Sequence, residues 1–519
     1  MKIKHDSNCS LEITKRIKAK SPYRKNFLAI LMTTSSFGYA FWEYVLATSN
    51  SVIDYLRYFV FPEISTYQIA LLAAILVIGA LLGAILGGPL SSNFGRRKVL
   101  LIGDILALIG VGLTMIEKYE AIIAGRILEG FVVGINSSVA NIYTNEMIPA
   151  NIRGIAGIIN MTVMNFGMII AVALGYLVPR KIEEGEVNHG WRIVYVVAAF
   201  FPASRIIVFL FFQKHETPSW LVSKEKYPEA LAIIKKIYSS EREAEVILEK
   251  LKRDRDFLYK SKKMTYKELF SKKYQKAVIL GIFLVTLHQF AGIGVIYSFS
   301  IKLFQYGLPK EDKLPILLTL ILSILSCITT GLSVFCIERI GRRKQFLPSL
   351  FAQAIVCLSY GFIAVFDSPS NIWAKLMIIL WPIPYSICMG ALTFLYLSEI
   401  LPDIAMSVVV PFNWICSYLT AQFFLPLSEK YGPGPILFFF GIYCTIGFIL
   451  TFFYMIESKG RSKAELISLY SGIPMDKEKK AANFEEYKID DINESETGTY
   501  RMEDKSEIDM KFIKIDAKL

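Results

Sequence analysis

The chain has 519 residues, of which 54% are hydrophobic and only 20% charged, too little charge for the surface of a soluble protein of this length. Its formal net charge of +12 would be compatible with binding to nucleic acid. The Lys and Arg residues, however, crowd into the N-terminal segment, two short turns and one middle stretch, which is typical of cytoplasmic loops between membrane spans. Composition therefore predicts an integral membrane protein whose partner is the lipid bilayer, with no nucleic-acid partner.

Twelve apolar blocks follow one another along the chain, each long enough to cross a hydrocarbon core about 30 Å thick as a helix. The predicted spans of the first half are 27–48, 66–90, 99–116, 120–142, 155–178 and 191–213. Those of the second half are 277–300, 314–336, 346–366, 372–396, 405–427 and 434–456. An even number of spans places both termini on one side, which the basic N-terminus predicts to be the cytoplasm.

Charge and hydropathy divide the chain into five predicted regions. They are a cytoplasmic N-terminal segment (1–26), an N-terminal six-helix half (27–213), a cytoplasmic amphipathic helical linker (214–276), a C-terminal six-helix half (277–456) and a mostly disordered cytoplasmic tail (457–519). Within the linker, Pro228–Tyr238 and Glu241–Leu258 have apolar residues at helical spacing. The apolar stripe predicted for the second segment is Ala244, Val246, Ile247 and Leu251. After Glu465 the chain has few bulky apolar residues, which predicts disorder.

Two sequence motifs occur once in each half. Phe94-Gly-Arg-Arg-Lys98 recurs as Ile340-Gly-Arg-Arg-Lys344, each after the second span of its half. Tyr143-Thr-Asn-Glu-Met-Ile-Pro149 recurs as Tyr396-Leu-Ser-Glu-Ile-Leu-Pro402, each closing a fourth span. Related halves of this kind imply pseudo-symmetry, with a substrate site between them near the middle of the bilayer.

In this order the motifs resemble those of the sugar porter (sugar transporter) family of the major facilitator superfamily, of which the chain would be a divergent member. The resemblance runs from about Phe37 to Glu465. The matching segments are Gly88–Lys98, Gly125-Arg126 with Gly130 and Gly134, Glu146–Gly154, His215–Leu221, His288–Gly294 and Glu457–Arg461. It implies an all-α integral membrane protein with the major facilitator fold, twelve transmembrane helices in two pseudo-symmetric six-helix halves. It also implies transport of a small polar solute, a monosaccharide or related polyol, by alternating access.

Sugar recognition relies on amides for paired donor and acceptor contacts and on aromatic faces against the C–H surface of the ring. By resemblance the candidate substrate-binding residues are His288, Gln289, Tyr297, Phe299, Phe394, Asn413 and Trp414. Asn160 and Asn165 lie near Met161, which replaces the family's fifth-span glutamine. Helix packing is the alternative role for the candidate Tyr and Phe residues, and interhelical hydrogen bonding for the histidine. Gly294 and Ser417 also replace family asparagines, so the sequence does not favour one particular hexose.

A second set of charged residues lies at the predicted cytoplasmic helix ends. The basic members are Arg96, Arg97, Arg153, Arg342 and Arg343, and the acidic members are Glu146, Glu338 and Glu399. Salt bridges at such a wet interface contribute roughly 0 to 1 kcal/mol each, so a cluster of them can close a gate and open again. Met406 stands where Arg153 would repeat, so the predicted gate is asymmetric. The alternative is that the arginines only set topology and contact anionic lipid.

Proton coupling depends, by resemblance, on a first-span carboxylate that pairs with the fourth-span Arg126. Here Gly38-Tyr39 is followed by Ala40, which favours facilitated diffusion. Glu43 or Glu129 could instead supply the carboxylate of a proton symporter. Either glutamate could equally serve only to neutralise Arg126, because an unpaired charge within a membrane is costly.

Two other classes of function remain open at the level of sequence. A non-transporting nutrient sensor on a transporter fold would tolerate the missing amides. A membrane enzyme has little support, because the chain shows no metal-ligand cluster, nucleophile elbow or phosphate loop. The sequence accordingly predicts no metal, no cofactor and no obligate protein partner. The plasma membrane is the predicted location, with a vacuolar or other internal membrane as the alternative.

Overall fold

The computed structural model describes residues 24–149, 152–179, 189–260, 265–461 and 463–472. Twelve long helices make up the bundle in this part of the chain. Those of the N-terminal half are α1 (Lys25–Tyr55), α2 (Thr66–Phe94), α3 (Arg96–Thr114), α4 (Tyr119–Met147), α5 (Arg153–Gly175) and α6 (Trp191–Phe212). Those of the C-terminal half are α7 (Gln275–Gln305), α8 (Leu314–Ile340), α9 (Arg342–Phe366), α10 (Ile372–Ile400), α11 (Asp403–Tyr431) and α12 (Gly434–Tyr454).

Nine of these helices, counted over the described residues, are long and apolar enough to cross a membrane by length and composition. The other three are α1, which is rich in Ser and Thr, α3, which begins with three basic residues, and α5. Each helix overlaps one predicted span. The largest change is in α1, which ends at Tyr55 rather than residue 48 and continues as a π-helix over Leu56–Val60.

Small residues bring helices within each half into close contact. A Cβ added to Gly130 of α4 would lie 1.9 Å from the Leu76 carbonyl oxygen of α2, and one added to Gly83 would lie 2.0 Å from the Phe131 carbonyl oxygen. No side chain fits at either position unless the helices separate. Glycines therefore hold α2 and α4 at backbone contact, which is how helices gain packing energy in lipid.

The two turns that carry the repeated Gly-Arg-Arg motif have the same backbone geometry. Gly95 joins α2 to α3 with φ +102°, and Gly341 joins α8 to α9 with φ +95°. A side chain is strained at such angles, so glycine is required at both turns. Each turn thus presents an arginine pair at the first residues of the following helix.

The linker packs against one end of the bundle as four short helices, as the sequence predicted for its amphipathic segments. They are Pro218–Ser223, Tyr227–Ile237, Glu241–Lys260 and Tyr266–Leu269. Ile233 and Ala244 are buried beside the ends of α1, α3 and α4. One residue of the predicted stripe was wrong: Val246 is 61% exposed, and Leu248 is buried instead. We call this end of the bundle the linker face, and the opposite end, where α1, α7 and α11 finish, the far face.

The start of the tail also differs from the prediction. Lys463–Ser471 forms a helix in which Leu466 is buried. The Tyr470 hydroxyl lies 2.5 Å from that of Tyr396 on α10, so this helix is fastened to the C-terminal half. Disorder predicted from Glu465 onward is therefore wrong for this helix. The predictions for residues 1–23 and 473–519 lie outside the described residues.

Candidate functional site

Two buried amides from different helices of the C-terminal half pair with each other. The Gln289 side chain on α7 donates from Nε2 to Asn413 Oδ1 on α11 at 3.0 Å. Both residues are buried, and Gln289 Oε1 has no hydrogen-bond partner among the described residues. A buried polar atom without a partner is costly, and Gln289 Oε1 is free to accept a hydrogen bond.

His288, the residue before Gln289, lies in an aromatic setting. Its Nε2 is 2.7 Å from the Tyr385 hydroxyl on α10. The Phe394 ring of the same helix packs edge-on against the imidazole, with ring centroids 5.4 Å apart. The structure therefore brings His288 and Phe394 together as predicted, and it adds Tyr385. The hydrogen bond is interhelical, which is the alternative that the sequence left open for this histidine.

A chain of hydrogen bonds crosses from the N-terminal to the C-terminal half. Ser326 of α8 donates to Asn165 Oδ1 of α5 at 3.2 Å. The Tyr297 hydroxyl of α7 lies 2.7 Å from Ser326 Oγ. Asn165 and Tyr297, predicted separately, are thus joined through a serine that sequence reasoning missed. Polar contacts of this kind can be exchanged for contacts to a hydroxylated solute as the halves move.

Two tryptophans also meet across the halves. Trp42 of α1 and Trp414 of α11 have ring centroids 5.9 Å apart, with their planes tilted by 37°. Trp414 was predicted as a candidate, and Trp42 was not. Indole faces are suited to the apolar side of a sugar ring and supply a polar N–H at the edge.

Two residues that were predicted to bind substrate make contacts within the protein instead. Asn160 Oδ1 accepts hydrogen bonds from Ser35 and Ser36 of α1, at 2.9 and 3.1 Å. Phe299 is 1% exposed and packs on Phe424 of α11, with ring centroids 5.3 Å apart. The structure therefore favours packing for Phe299, and it gives Asn160 the role of fastening α1 to α5.

Two buried charged residues of α4, Arg126 and Glu129, form an ion pair with each other. Arg126 NH1 lies 3.0 Å from Glu129 Oε2, and both side chains are buried. The guanidinium also donates to the Val45 carbonyl oxygen at 2.7 Å and to Ser49 Oγ at 2.6 Å. Of the two glutamates considered in the sequence, the structure places Glu129 on Arg126.

Glu43 lies elsewhere, on the side of α1 that faces the other half. It is 3% exposed, and Oε1 has no hydrogen-bond partner among the described residues. Its carboxylate is close enough to Tyr297 and Tyr385 to interact electrostatically with both. Glu43 therefore adjoins the polar groups of the candidate site rather than Arg126.

A second buried ion pair was missed by sequence reasoning. Arg205 of α6 makes a two-pronged contact with Asp104 of α3, with NH2–Oδ1 and Nε–Oδ2 distances of 2.6 and 2.8 Å. The guanidinium also donates to Asn136 Oδ1 at 2.8 Å. The signal available in the sequence was an acidic residue inside one apolar span and a basic residue inside another. The pair joins three helices of the N-terminal half into one unit.

At the linker face, one arginine of the N-terminal half pairs with a carboxylate, and two others donate to backbone carbonyl oxygens. Arg96 lies 2.9 Å from Glu146, which also accepts a hydrogen bond from Thr217 at 2.5 Å. Arg97 donates to the Gln213 carbonyl oxygen at 2.7 Å. Arg153 donates to the Ile148 carbonyl oxygen at 3.1 Å. In this conformation the ion-pair partner of Glu146 is therefore Arg96.

The C-terminal half repeats this arrangement. Arg342 lies 2.9 Å from Glu399, and Arg343 donates to the Phe452 carbonyl oxygen at 2.6 Å. The side chain of Glu338, another predicted gate residue, lies outside the described part of α8. Two arginine–carboxylate pairs among the predicted gate residues, Arg96–Glu146 and Arg342–Glu399, thus lie within their own halves.

Two carboxylates at the same helix ends were not predicted. Glu216 accepts hydrogen bonds from the backbone N–H groups of Arg97 and Lys98, both at 3.0 Å. Glu457 does the same for Arg342 and Arg343, at 2.8 and 3.1 Å. Carboxylates are stabilised at helix N-termini by these free N–H groups. Their recurrence after the sixth span of each half was the signal available.

Burial and hydrogen bonding act in opposite directions on Glu457. Partial burial would raise the pKa of this carboxyl. Hydrogen bonds from backbone N–H groups, including those of Lys459 and Arg342, outweigh burial and hold the pKa below its ordinary value of 4.5. The carboxylate is therefore charged at neutral pH.

Comparison with known proteins gives a consistent picture. A family model described as "Sugar (and other) transporter" matches residues 26–470. The chain is 28% identical over 437 residues to the facilitated trehalose transporter Tret1 of Bombyx mori, covering 79% of this chain and 81% of that protein. It is 26% identical over 421 residues to the D-xylose-proton symporter-like 2 of Arabidopsis thaliana, covering 78% and 82%. Among solved structures, the inward-open xylose transporter XylE from E. coli matches with a TM-score of 0.73 at 21% identity, covering 85% and 99%.

Proposed function

This chain belongs to the sugar transporter family, and we propose that it moves a monosaccharide or related polyol by alternating access and facilitated diffusion. The family match confirms the sequence prediction of a sugar transporter over a membrane enzyme. The matched solved structure supports the predicted major facilitator fold of twelve helices in two halves. The site residues, the mode of coupling and the membrane are the proposed parts.

The observation that carries the proposed site is the buried Gln289–Asn413 pair, which adjoins Trp414 in sequence. Gln289 Oε1 is buried without a hydrogen-bond partner among the described residues, and a sugar hydroxyl donating to it would remove that cost. Trp42 and Trp414 lie on opposite halves and supply aromatic surface for the ring. A solute that contacts both halves can hold them in an occluded state, which is what alternating access requires.

Facilitated diffusion is supported by the state of Arg126. Its guanidinium is already neutralised by Glu129 at 3.0 Å, so no proton-carrying carboxylate is needed to balance it. A buried pair inside one half keeps its charges together while the halves rock. The solute gradient alone then drives net movement.

A specific observation also favours a second candidate function, proton-coupled symport. Glu43 is a buried carboxylate beside Tyr297 and Tyr385, with no hydrogen bond at Oε1 among the described residues. Ionisable groups within a membrane are costly and commonly mark ion or proton pathways. Protonation of Glu43 together with solute binding would neutralise it during transport.

We propose that the linker face is cytoplasmic and that the protein lies in the plasma membrane. The basic residues of the linker, such as Lys235 and Lys236, support this orientation through the positive-inside rule. Both termini then lie in the cytoplasm, and the far face meets the outside solution.

Uptake of labelled sugars and polyols into proteoliposomes tests the proposal. We expect Gln289→Leu to raise the KM by about 5- to 150-fold, because a hydrogen-bonding site left incomplete loses roughly 1–3 kcal/mol. Gln345→Leu is the matched control, since this buried glutamine donates to the Ile387 carbonyl oxygen within the C-terminal half. Equal kinetics of Gln289→Leu and the parent would contradict the site. Saturable binding without uptake of any sugar would indicate the nutrient sensor instead.

An imposed proton gradient separates the two modes of coupling. Facilitated diffusion predicts equal initial rates with and without an inward gradient. Symport through Glu43 predicts concentrative uptake that Glu43→Gln abolishes while solute exchange persists. Concentrative uptake that survives Glu43→Gln would contradict both assignments.

A further inference from the structure

Glu43 of α1 differs from the other buried carboxylates of the bundle in its lack of a cationic partner. Within the described part of the chain, the buried carboxylates are Glu43, Asp104 and Glu129. Asp104 pairs with Arg205, and Glu129 pairs with Arg126. Glu43 takes part in none of the salt bridges found among the described residues, and its Oε1 has no hydrogen-bond partner there. A carboxylate buried in this way is costly, so a positive charge from outside the described residues would stabilise it.

The side chains that the structure places near Glu43 are aromatic. Its carboxylate is close enough to Tyr297 and Tyr385 of the other half to interact electrostatically with both. Trp381 joins these two rings: it stacks on Tyr385 with ring centroids 4.6 Å apart, and it packs edge-on against Tyr297 at 6.2 Å. The faces of aromatic rings attract cations. A carboxylate beside a group of aromatic rings is therefore a setting that suits a positively charged ligand.

The candidate site next to Tyr385 presents a second acceptor that lacks a donor. The Tyr385 hydroxyl lies 2.7 Å from His288 Nε2, and Gln289 follows His288 in the chain. Gln289 Oε1 is buried without a hydrogen-bond partner among the described residues, as is Glu43 Oε1. The two atoms belong to different halves. An ammonium group offers three N–H donors and a positive charge, whereas a hydroxyl offers one donor and no charge. The pair of acceptors therefore matches a solute that carries both groups.

We propose that Glu43 binds a positively charged amine on the solute, and that the preferred cargo is an amino sugar or amino polyol rather than its neutral counterpart. The ammonium group pairs with Glu43 of the N-terminal half. Hydroxyls of the same solute bond to Gln289 and Asn413 of the C-terminal half. The two halves thus recognise chemically different ends of one molecule. The inference rests on the transport function proposed above and names its substrate class.

A charged solute also changes the driving force of transport. The ammonium group balances the Glu43 carboxylate, so Glu43 stays ionised and no proton accompanies the solute. Each transport event then moves one positive charge across the membrane, and the membrane potential acts on that charge. Uptake of the amine is therefore electrogenic without a proton gradient. Proton symport through Glu43 instead moves a neutral solute together with a proton, so the two roles of Glu43 differ in their dependence on pH gradients.

Isothermal titration calorimetry on the full chain in lipid nanodiscs tests the assignment. The probes are two amines and their neutral counterparts at neutral pH: D-glucosamine against D-glucose, and glucamine against sorbitol. We expect the amine of at least one pair to bind about 10- to 150-fold more tightly than its counterpart, because hydrogen bonds to a charged group are the stronger ones. Glu43→Gln should abolish this preference. Glu117→Gln is the matched control, since it removes an exposed carboxylate that pairs with Arg192, and it should keep the preference.

Equal or weaker binding of both amines by the parent protein would overturn the assignment. This comparison needs no variant, so it stays decisive if Glu43→Gln does not fold. A preference for the amine that persists in folded Glu43→Gln would also overturn it. Uptake of the same probes into proteoliposomes keeps the two proposals apart. Amine binding that depends on Glu43, without uptake of any solute, would support the recognition site while refuting transport. Uptake of the neutral sugars with no preference for the amines would support transport while refuting the recognition site.

Discussion

The two faces of the bundle use their charges differently. At the linker face, each described arginine–carboxylate pair of the bundle, such as Arg96–Glu146 and Arg342–Glu399, lies within one half. At the far face, Arg57–Glu429 and Lys302–Asp54 connect the halves. Pairs within a half make that half move as a unit, and pairs between halves decide which side is closed. The difference indicates a far-face-closed state of two rigid halves.

The largest expected effect concerns the rigidity of the N-terminal half. Replacing Arg205 by Leu leaves Asp104 buried without its partner, which should cost about 3–5 kcal/mol of stability. The double variant Asp104→Leu, Arg205→Leu should recover much of that loss, because no charge is then stranded. Fluorescence-detected thermal unfolding of purified protein measures both. Arg192→Leu, which removes an exposed pair with Glu117, is the control and should change stability by about 1 kcal/mol or less.

An Arg205→Leu variant as stable as the parent would show that this pair does not hold the half together. The comparison between the faces would then lose its premise that each half moves as one body. A double variant no more stable than the single one would indicate that the shape of the pair, rather than its charge, is what matters.

A smaller effect distinguishes the two faces directly. Arg57→Gln removes one partly exposed ion pair between halves, which should raise the far-face-open population by up to about fivefold. Arg96→Gln and Arg342→Gln remove pairs within halves and should leave that population unchanged. Nitroxide labels at Glu63 and Lys430, both exposed at the far face, report all three variants when their separation is measured by double electron–electron resonance. A shift in Arg342→Gln would instead mean that the linker-face arginines cross between the halves in the other state.

The smallest expected effect is the pH dependence of the linker face. The pKa of Glu457 is lower in the folded protein than its ordinary value of 4.5, so its contribution to stability is complete above that pH. This contribution disappears as the pH falls through the lower, folded-state pKa. Thermal unfolding temperatures measured between pH 7 and pH 3 should therefore fall less in Glu457→Gln than in the parent at the acidic end. Parallel curves for the two proteins would exclude this carboxylate as a contributor.

Much of the architecture could be predicted because hydrophobic blocks and repeated motifs are local signals. Each span is an apolar run that must satisfy its own backbone hydrogen bonds in lipid, so helix type and order follow from sequence alone. Boundaries were less certain where the ends are polar. The α1 helix continues to Tyr55 because residues such as Asn50 and Ser51 find partners in other helices, which no hydropathy pattern reports.

The candidate site was predicted in part. Among residues that resemble family positions, Gln289 pairs with Asn413 within the C-terminal half, and Trp414 packs on Trp42 of the other half. Asn160 and Phe299 are an amide and an aromatic residue of the same kinds. Asn160, however, accepts hydrogen bonds from Ser35 and Ser36, and Phe299 packs on Phe424. A residue type shows what a side chain can do. Its rotation about the helix axis and the neighbouring helices determine what it contacts.

The sequence by itself determined a membrane protein of twelve helices in two related halves and its sugar-transporter family, since both depend on apolar runs and on motifs read in order. Only the tertiary structure decided which charges pair. Arg126 lies on Glu129 while Glu43 faces the other half, and Asn50 donates a hydrogen bond to Ser300 of α7, two hundred and fifty residues away along the chain. The physical reason is that side-chain partners within a membrane are chosen by helix packing, which brings together residues that no local pattern connects.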